Sequence, residues 1–201
     1  MSAPHPRLAA GERRAALVEA GLRVFAAGSY RGATTAEIAR EAGITEPILY
    51  RHFASKRELY FACLDEAWAR LRQAAEEIVA GEPDPAEWPF AVPKAVYALR
   101  ERRLLPLHLW IQALSEAGED DEIRRYLRRH LREVHAFVAD LQRRAQLAGG
   151  VAAERNTEAE AWIALGIGLL RSVQDRLGGL LSEEDFAAIA TSRRRWLTGR
   201  G

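Results

Sequence analysis

Apolar residues recur at spacings of three and four along nearly the whole chain, and the period-two alternation of half-buried strands is almost absent. Val18, Leu22 and Phe25 share one face of a helix expected over residues 12–27, which the segment 28–32 ends. Thr34 and Glu37 have the spacing of a capping box, and the short helix they open is closed by Gly43. Thr45 then reads as a new N-cap, with Glu46 and Pro47 suited to a first helical turn. Ser55 and Glu58 form a second capping box, opening a long helix to about residue 79 with Leu59, Cys63, Ala67, Leu71 and Ile78 along one face. The clearest break is 81–85, Gly-Glu-Pro-Asp-Pro. Further helices are expected near 90–103, 105–117, 120–147, 158–177 and 183–197. Ile123, Leu127, Leu131, Val134, Val138 and Leu141 stripe the third of these, and 157–160 and 182–185 carry cap signatures for the last two. The pattern predicts an all-α protein.

Composition narrows the function classes. The 201 residues suffice for one core, or one core and a small appended module. A net charge of +1 supplies no bulk field towards a polyanion, but residues 1–60 hold nine Arg/Lys against six Asp/Glu. Cys63 is the only cysteine, which excludes an internal disulfide and a multi-cysteine metal site. The start has no apolar signal core, and the longest apolar run, 162–170, is too short to span a bilayer, so a cytoplasmic protein with no membrane partner is expected.

The informative stretch is 34–57. Two short helices joined at Ala42-Gly43-Ile44 have the layout of a helix-turn-helix. Ile38, Ala39, Ala42, Ile44, Leu49 and Phe53 supply its inner surface, while Glu46, Pro47, Tyr50 and Arg51 share the outward face of the second helix. A major groove accepts one helix and offers methyls, base edges and flanking phosphates. Pro47 suits a thymine methyl, Tyr50 a sugar or phosphate, Arg51 a guanine or a phosphate, and Lys56 a phosphate. Glu46 either accepts from a cytosine amino group or simply favours the helix N-terminus.

The segment TTAEIAREAGITEPILYRHFASKREL resembles the N-terminal signature of TetR-family transcriptional regulators. The matching pieces are Thr34-Thr35, Ile38-Ala39, Ala42 to Thr45, Leu49-Tyr50, His52-Phe53 and Ser55-Lys56, within a resemblance that covers about residues 12–64. It implies a three-helix DNA-binding head over 1–57, a linking helix over about 55–79, and a helical effector-binding and dimerisation domain over 58–201. It further implies that Thr35, Tyr50, His52 and Lys56 touch the DNA backbone, and that Glu46, Pro47 and Arg51 vary with the operator. The two C-terminal helices are implied to pair across a two-fold axis into a four-helix bundle.

In the C-terminal part, Trp68, Leu71, Trp88, Leu107, His108, Trp110, Ile111, Phe137 and Trp162 are candidates to line an apolar effector pocket, with Gln112 and Gln174 as polar companions. Ala161, Leu165, Gly168, Phe186 and Ile189 are candidates for the dimer interface, where small residues around Gly166 permit close helix approach. No metal or cofactor is expected. His130 and His135 diverge by about 140° on a helix and read as solvated, and Gly166-Ile167-Gly168 follows no strand. Arg124, Arg125, Arg128, Arg129 and Arg132 read as a solvated flank paired with the acidic run 119–122, ahead of a second nucleic-acid surface. The leading expectation is a homodimeric repressor that binds double-stranded pseudo-palindromic DNA and is released by a small effector. An activator, or a regulator without a ligand, is the alternative. An all-helical enzyme is remote: Cys63 lies on an apolar face and the five histidines show no catalytic spacing.

Overall fold

The computed structural model describes residues 10–101 and 108–199, so Leu107 lies outside the described residues, as does the side chain of His108. Nine α-helices and one 3-10 helix occur among the described residues. They are α1 Ala10–Ala27, α2 Thr35–Glu41, α3 Glu46–Tyr50, α4 Lys56–Gly81, the 3-10 helix Pro85–Phe90, α5 Ala91–Glu101, α6 His108–Glu116, α7 Asp121–Leu147, α8 Thr157–Leu177 and α9 Glu183–Thr198.

Local chemistry accounts for most helix starts. Thr34 and Glu37 form the expected capping box on α2, as do Ser182 and Asp185 on α9. Three details differ. Ser55 caps α4 by accepting from Glu58 N–H, but the Glu58 carboxylate reaches one residue further back, to Ala54 N–H at 2.6 Å. Thr45 has N-cap backbone angles without a side-chain bond, because Pro47 occupies the first turn and removes a donor there. The α8 cap is Asn156, one residue ahead of Thr157; its amide oxygen accepts from Ala159 N–H. The expected break at 81–85 passes into the 3-10 helix, which Asp84 caps through Ala86 N–H.

The first core joins α1, α2, α3 and α4. Leu17, Phe25, Ile38, Leu49, Phe53, Leu59 and Tyr60 are all at most 1% exposed. Gly21 lets α1 cross α4 closely, since a Cβ there would lie 2.8 Å from Cys63 Sγ. This core does not stop at residue 57: Leu109 and Ala113 of α6 and Ile123, Tyr126 and Leu127 of α7 belong to it. A second core packs Ala75, Val79, Ala91, Ala95, Phe137 and Leu141, where α4, α5 and α7 meet. Val138 and Ala139 of α7 carry Ala161 of α8, and Leu197 of α9 closes on Ala145 and Val151. Gly150 sits on the 3-10 helix so tightly that a Cβ would collide with the backbone of Pro85 and Ala86.

His130 and His135 correct the sequence reading, for they are buried at 3% and 8% exposure. Both lie on the buried side of α7, where neighbouring helices cover them. His135 Nε2 is 2.9 Å from Glu158 O, and its ring stacks on Trp162. His130 lies among Trp68, Trp110 and Tyr126, and its Nδ1 has no hydrogen-bond partner. The arginine flank is corrected in part. Its five arginines are exposed as expected, but among the described residues only Asp121 of the acidic run forms a salt bridge with it, through Arg124 at 2.7 Å. Glu119, Asp120 and Glu122 turn to arginines of the head instead.

Burial holds the His130 imidazole below its ordinary pKa, with Asp65 and Glu133 opposing that shift and Arg129 adding to it. The unfolded chain therefore takes up the proton first on acidification. The stability tied to neutral His130 is present above about pH 6.5 and is lost as pH falls towards the folded value. Urea unfolding at pH 7.5 and at pH 5.5 is expected to show that loss, and a smaller one in His130→Phe. An equal loss in both proteins would remove His130 as its source.

Candidate nucleic-acid interface

Gly43, at φ 69°, makes the turn between α2 and α3, and Ile44 N–H returns to Ala39 O at 2.9 Å. Leu49 and Phe53 anchor α3 in the core, which fixes its rotation. Pro47, Tyr50 and Arg51 are consequently exposed, and Tyr50 keeps 47% of its surface. Arg51 has no ion pair among the described residues. Glu46, Pro47, Tyr50 and Arg51 share the outward side of α3, Thr35 is buried in contact with Glu46 and Tyr50, and His52 is half-buried.

Several of these side chains are already engaged. Thr35 is buried, and its hydroxyl donates to Glu46 Oε1. A hydroxyl has one proton and a carboxylate has none, so the 3.1 Å contact between Thr35 Oγ1 and Tyr50 Oη must be a donation from Tyr50. Lys56 Nζ donates to Ala33 O at 3.0 Å and Arg31 O at 3.4 Å, and lies over the Tyr30 ring. It ties the start of α4 to the loop before α2.

A clamp that the sequence did not reveal joins this head to α6 and α7. Arg31 pairs with Glu116 at 2.8 Å and with Glu119; Arg57 pairs with Asp120 at 2.6 Å and with Glu122. The Ile123 N–H it accepts, and then Arg57, hold the Asp120 carboxyl below its usual range. Tyr60 Oη donates to Leu109 O at 2.9 Å, and Gln112 Nε2 to Gly28 O at 2.8 Å. Gln112 therefore braces the head, and Gln174 Oε1 accepts from Leu180 and Leu181 N–H to fix the α8–α9 turn.

The effector candidates divide. Trp68, Leu71, Trp88 and Phe137 pack around the second core, with Trp68 edge-on to Phe137 at 5.5 Å. Trp110 packs on the first core, and Ile111 is half-buried beside it in sequence. Trp162 is not with them: it stands on the outer side of α8, 48% exposed. The dimer candidates divide as well. Ala161 is fully buried against Val138 and Ala139, and Leu165 packs on the same cluster, so both face inward. Gly168 is exposed, while Phe186 and Ile189 are half-buried. Trp162, Leu169, Val173 and Leu177 instead form the open apolar line of α8.

Residues 17–63 match the family model for bacterial regulatory proteins of the tetR family. The chain is 30% identical over 115 residues to the HTH-type transcriptional regulator BetI of Rhizobium meliloti, spanning 57% of each protein. It is 44% identical over 72 residues to the HTH-type transcriptional activator FasR of Mycolicibacterium smegmatis, spanning 34% of this chain and 33% of that protein. Both matches cover less than two thirds of the relative. The transcriptional regulator FadR from Bacillus subtilis, solved in complex with stearoyl-CoA, superposes with a TM-score of 0.72. That likeness covers 93% of this chain and 99% of the other at 15% identity, and it is one of fold.

Proposed function

This chain belongs to the TetR family of bacterial regulatory proteins, and from that premise we propose that it is a homodimeric, effector-responsive repressor of transcription acting in the cytoplasm. The observation that carries the reading is the α3 surface: Pro47 and Arg51 stand exposed beside Tyr50 while Leu49 and Phe53 lock the helix from behind. Two such heads enter successive major grooves of a pseudo-palindrome about one turn apart or more. The dimer is supported by the apolar line Leu169, Val173 and Leu177 on α8, which stays exposed in the single chain, with half-exposed Trp162 at its start. Among the described residues, no helix is long and apolar enough to cross a membrane.

The effector reading rests on packing. Trp68, Leu71, Trp88 and Phe137 surround the joint of α4, α5 and α7, the same α4 and α7 that carry the head and its clamp. A small, largely apolar molecule entering there separates α4 from α7, and the Arg31 and Arg57 clamps transmit the shift. The Bacillus subtilis FadR structure holds stearoyl-CoA, a molecule with a long apolar part. The leverage of any effector here equals its difference in affinity for the two arrangements. The activator reading keeps the same head, and one relative matched over 72 residues, FasR, is a transcriptional activator.

The test is selection of bound fragments from the source genome with purified protein at moderate salt. A short inverted repeat is expected, lost with Tyr50→Ala. With Arg51→Ala, preference at one base pair of each half-site is expected to weaken by about 10-fold or more. Uniform weakening at every site would assign Arg51 to phosphate. No enrichment by a folded dimer, with and without metabolite extract, would overturn DNA binding.

A further inference from the structure

Glu46 places a negative charge at the N-terminal end of α3, on a surface otherwise suited to a polyanion. An unconstrained carboxylate there would swing away from DNA. Here it is held: Thr35 donates to Oε1, and Tyr50 supports Thr35 from the other side at 3.1 Å. Thr34, the neighbouring hydroxyl, is committed to Glu37 in the capping box, so Thr35 is the residue left to perform this task. Thr35 is 7% exposed, which keeps its own position fixed. Glu46 Oε2 makes no hydrogen bond among the described residues.

We infer that Glu46 is a specificity-determining residue that requires a cytosine in each half-site, and that Thr35 and Tyr50 are its positioning residues. This rests on the DNA-binding reading above. Residues at the N-terminal end of a recognition helix meet base edges. A carboxylate only accepts, and cytosine offers an N4 amino group and no major-groove acceptor of its own. Thymine O4 and guanine O6 oppose it acceptor to acceptor. Adenine pairs its amino group with the N7 acceptor, which suits an amide better than a carboxylate. A tethered carboxylate cannot turn away from a wrong base, so the tether converts a general repulsion into a penalty specific to one base pair. The hydroxyls of Thr35 and Tyr50, on this account, serve Glu46 before they serve phosphate.

The experiment is selection from a randomised half-site library with the intact protein, followed by titration of single-base variants. Four proteins are compared: wild type, Glu46→Gln, Thr35→Val and Tyr50→Phe, each checked for an unchanged melting profile. Wild type is expected to demand cytosine at one position per half-site, by on the order of 10- to 100-fold. Glu46→Gln shifts that position to adenine and leaves the others alone. Thr35→Val and Tyr50→Phe, which keep shape and lose one hydroxyl each, relax the same position only. Unchanged preference in Glu46→Gln overturns the inference, as does an equal gain in affinity for every sequence, which would make the carboxylate a general repulsion. If wild type itself enriches nothing, the DNA-binding reading has failed instead.

Discussion

Glu160→Ala is expected to lower the stability of the folded chain by about 3 kcal/mol, read by urea unfolding at fixed protein concentration. Glu160 is 5% exposed. Its carboxylate accepts from Arg193 and from Trp196 Nε1, the latter at 2.7 Å, and so fastens α9 to the first turns of α8. The Arg193 side chain is itself only 16% exposed. Removing the carboxylate leaves the Arg193 guanidinium with little water to replace it, and that penalty dominates. The pair Arg23–Glu41 makes the contrast, with its side chains 57% and 45% exposed. Arg23→Ala is expected to change stability by less than about 1 kcal/mol. Glu160→Leu with Arg193→Met removes both charges and is expected to recover most of the loss. Equal small costs for Glu160→Ala and Arg23→Ala would show that water reaches Glu160.

Leu169→Asp with Val173→Asp is expected to convert the proposed dimer into a monomer of 22.4 kDa in sedimentation equilibrium. Both side chains are open to solvent in the single chain, 38% and 40% exposed, so the protomer keeps its fold. Facing a second copy, four carboxylates would meet in an apolar interface without partners. A lone head holds one half-site, so operator affinity is expected to fall by on the order of 100-fold or more. Gly166→Leu probes the same surface by size rather than charge. A Cβ there meets nothing within 4 Å in its own chain, so dissociation caused by the leucine would have to come from the partner copy. A double variant that remains dimeric would remove this line of α8 from the interface.

The parts legible in the sequence are those settled within about four residues. Thr34 with Glu37 and Ser182 with Asp185 cap their helices as their spacing states. Gly43 makes the helix-turn-helix turn, and Leu49 and Phe53 set which side of α3 faces outward. The helix order, the all-α class and the family signature follow from such local rules. His130 was legible in principle: it stands four residues beyond Tyr126 and seven beyond Ile123, inside the buried stripe of α7. Its polarity argued for solvent, and only the arrival of Trp68 and Trp110 around it decided otherwise.

By itself the sequence determined the helices, the capping boxes of α2 and α9 and the outward face of α3. The tertiary structure alone decided which carboxylates clamp Arg31 and Arg57, that Ala161 faces inward while Trp162 faces out, and that Thr35 and Tyr50 hold Glu46. Capping bonds and helical spacing are fixed by neighbours in the chain, whose distances the backbone sets. Burial and ion pairing depend on which surface of a remote element arrives, as between Arg31 and Glu119, 88 residues apart, and no local spacing encodes that meeting.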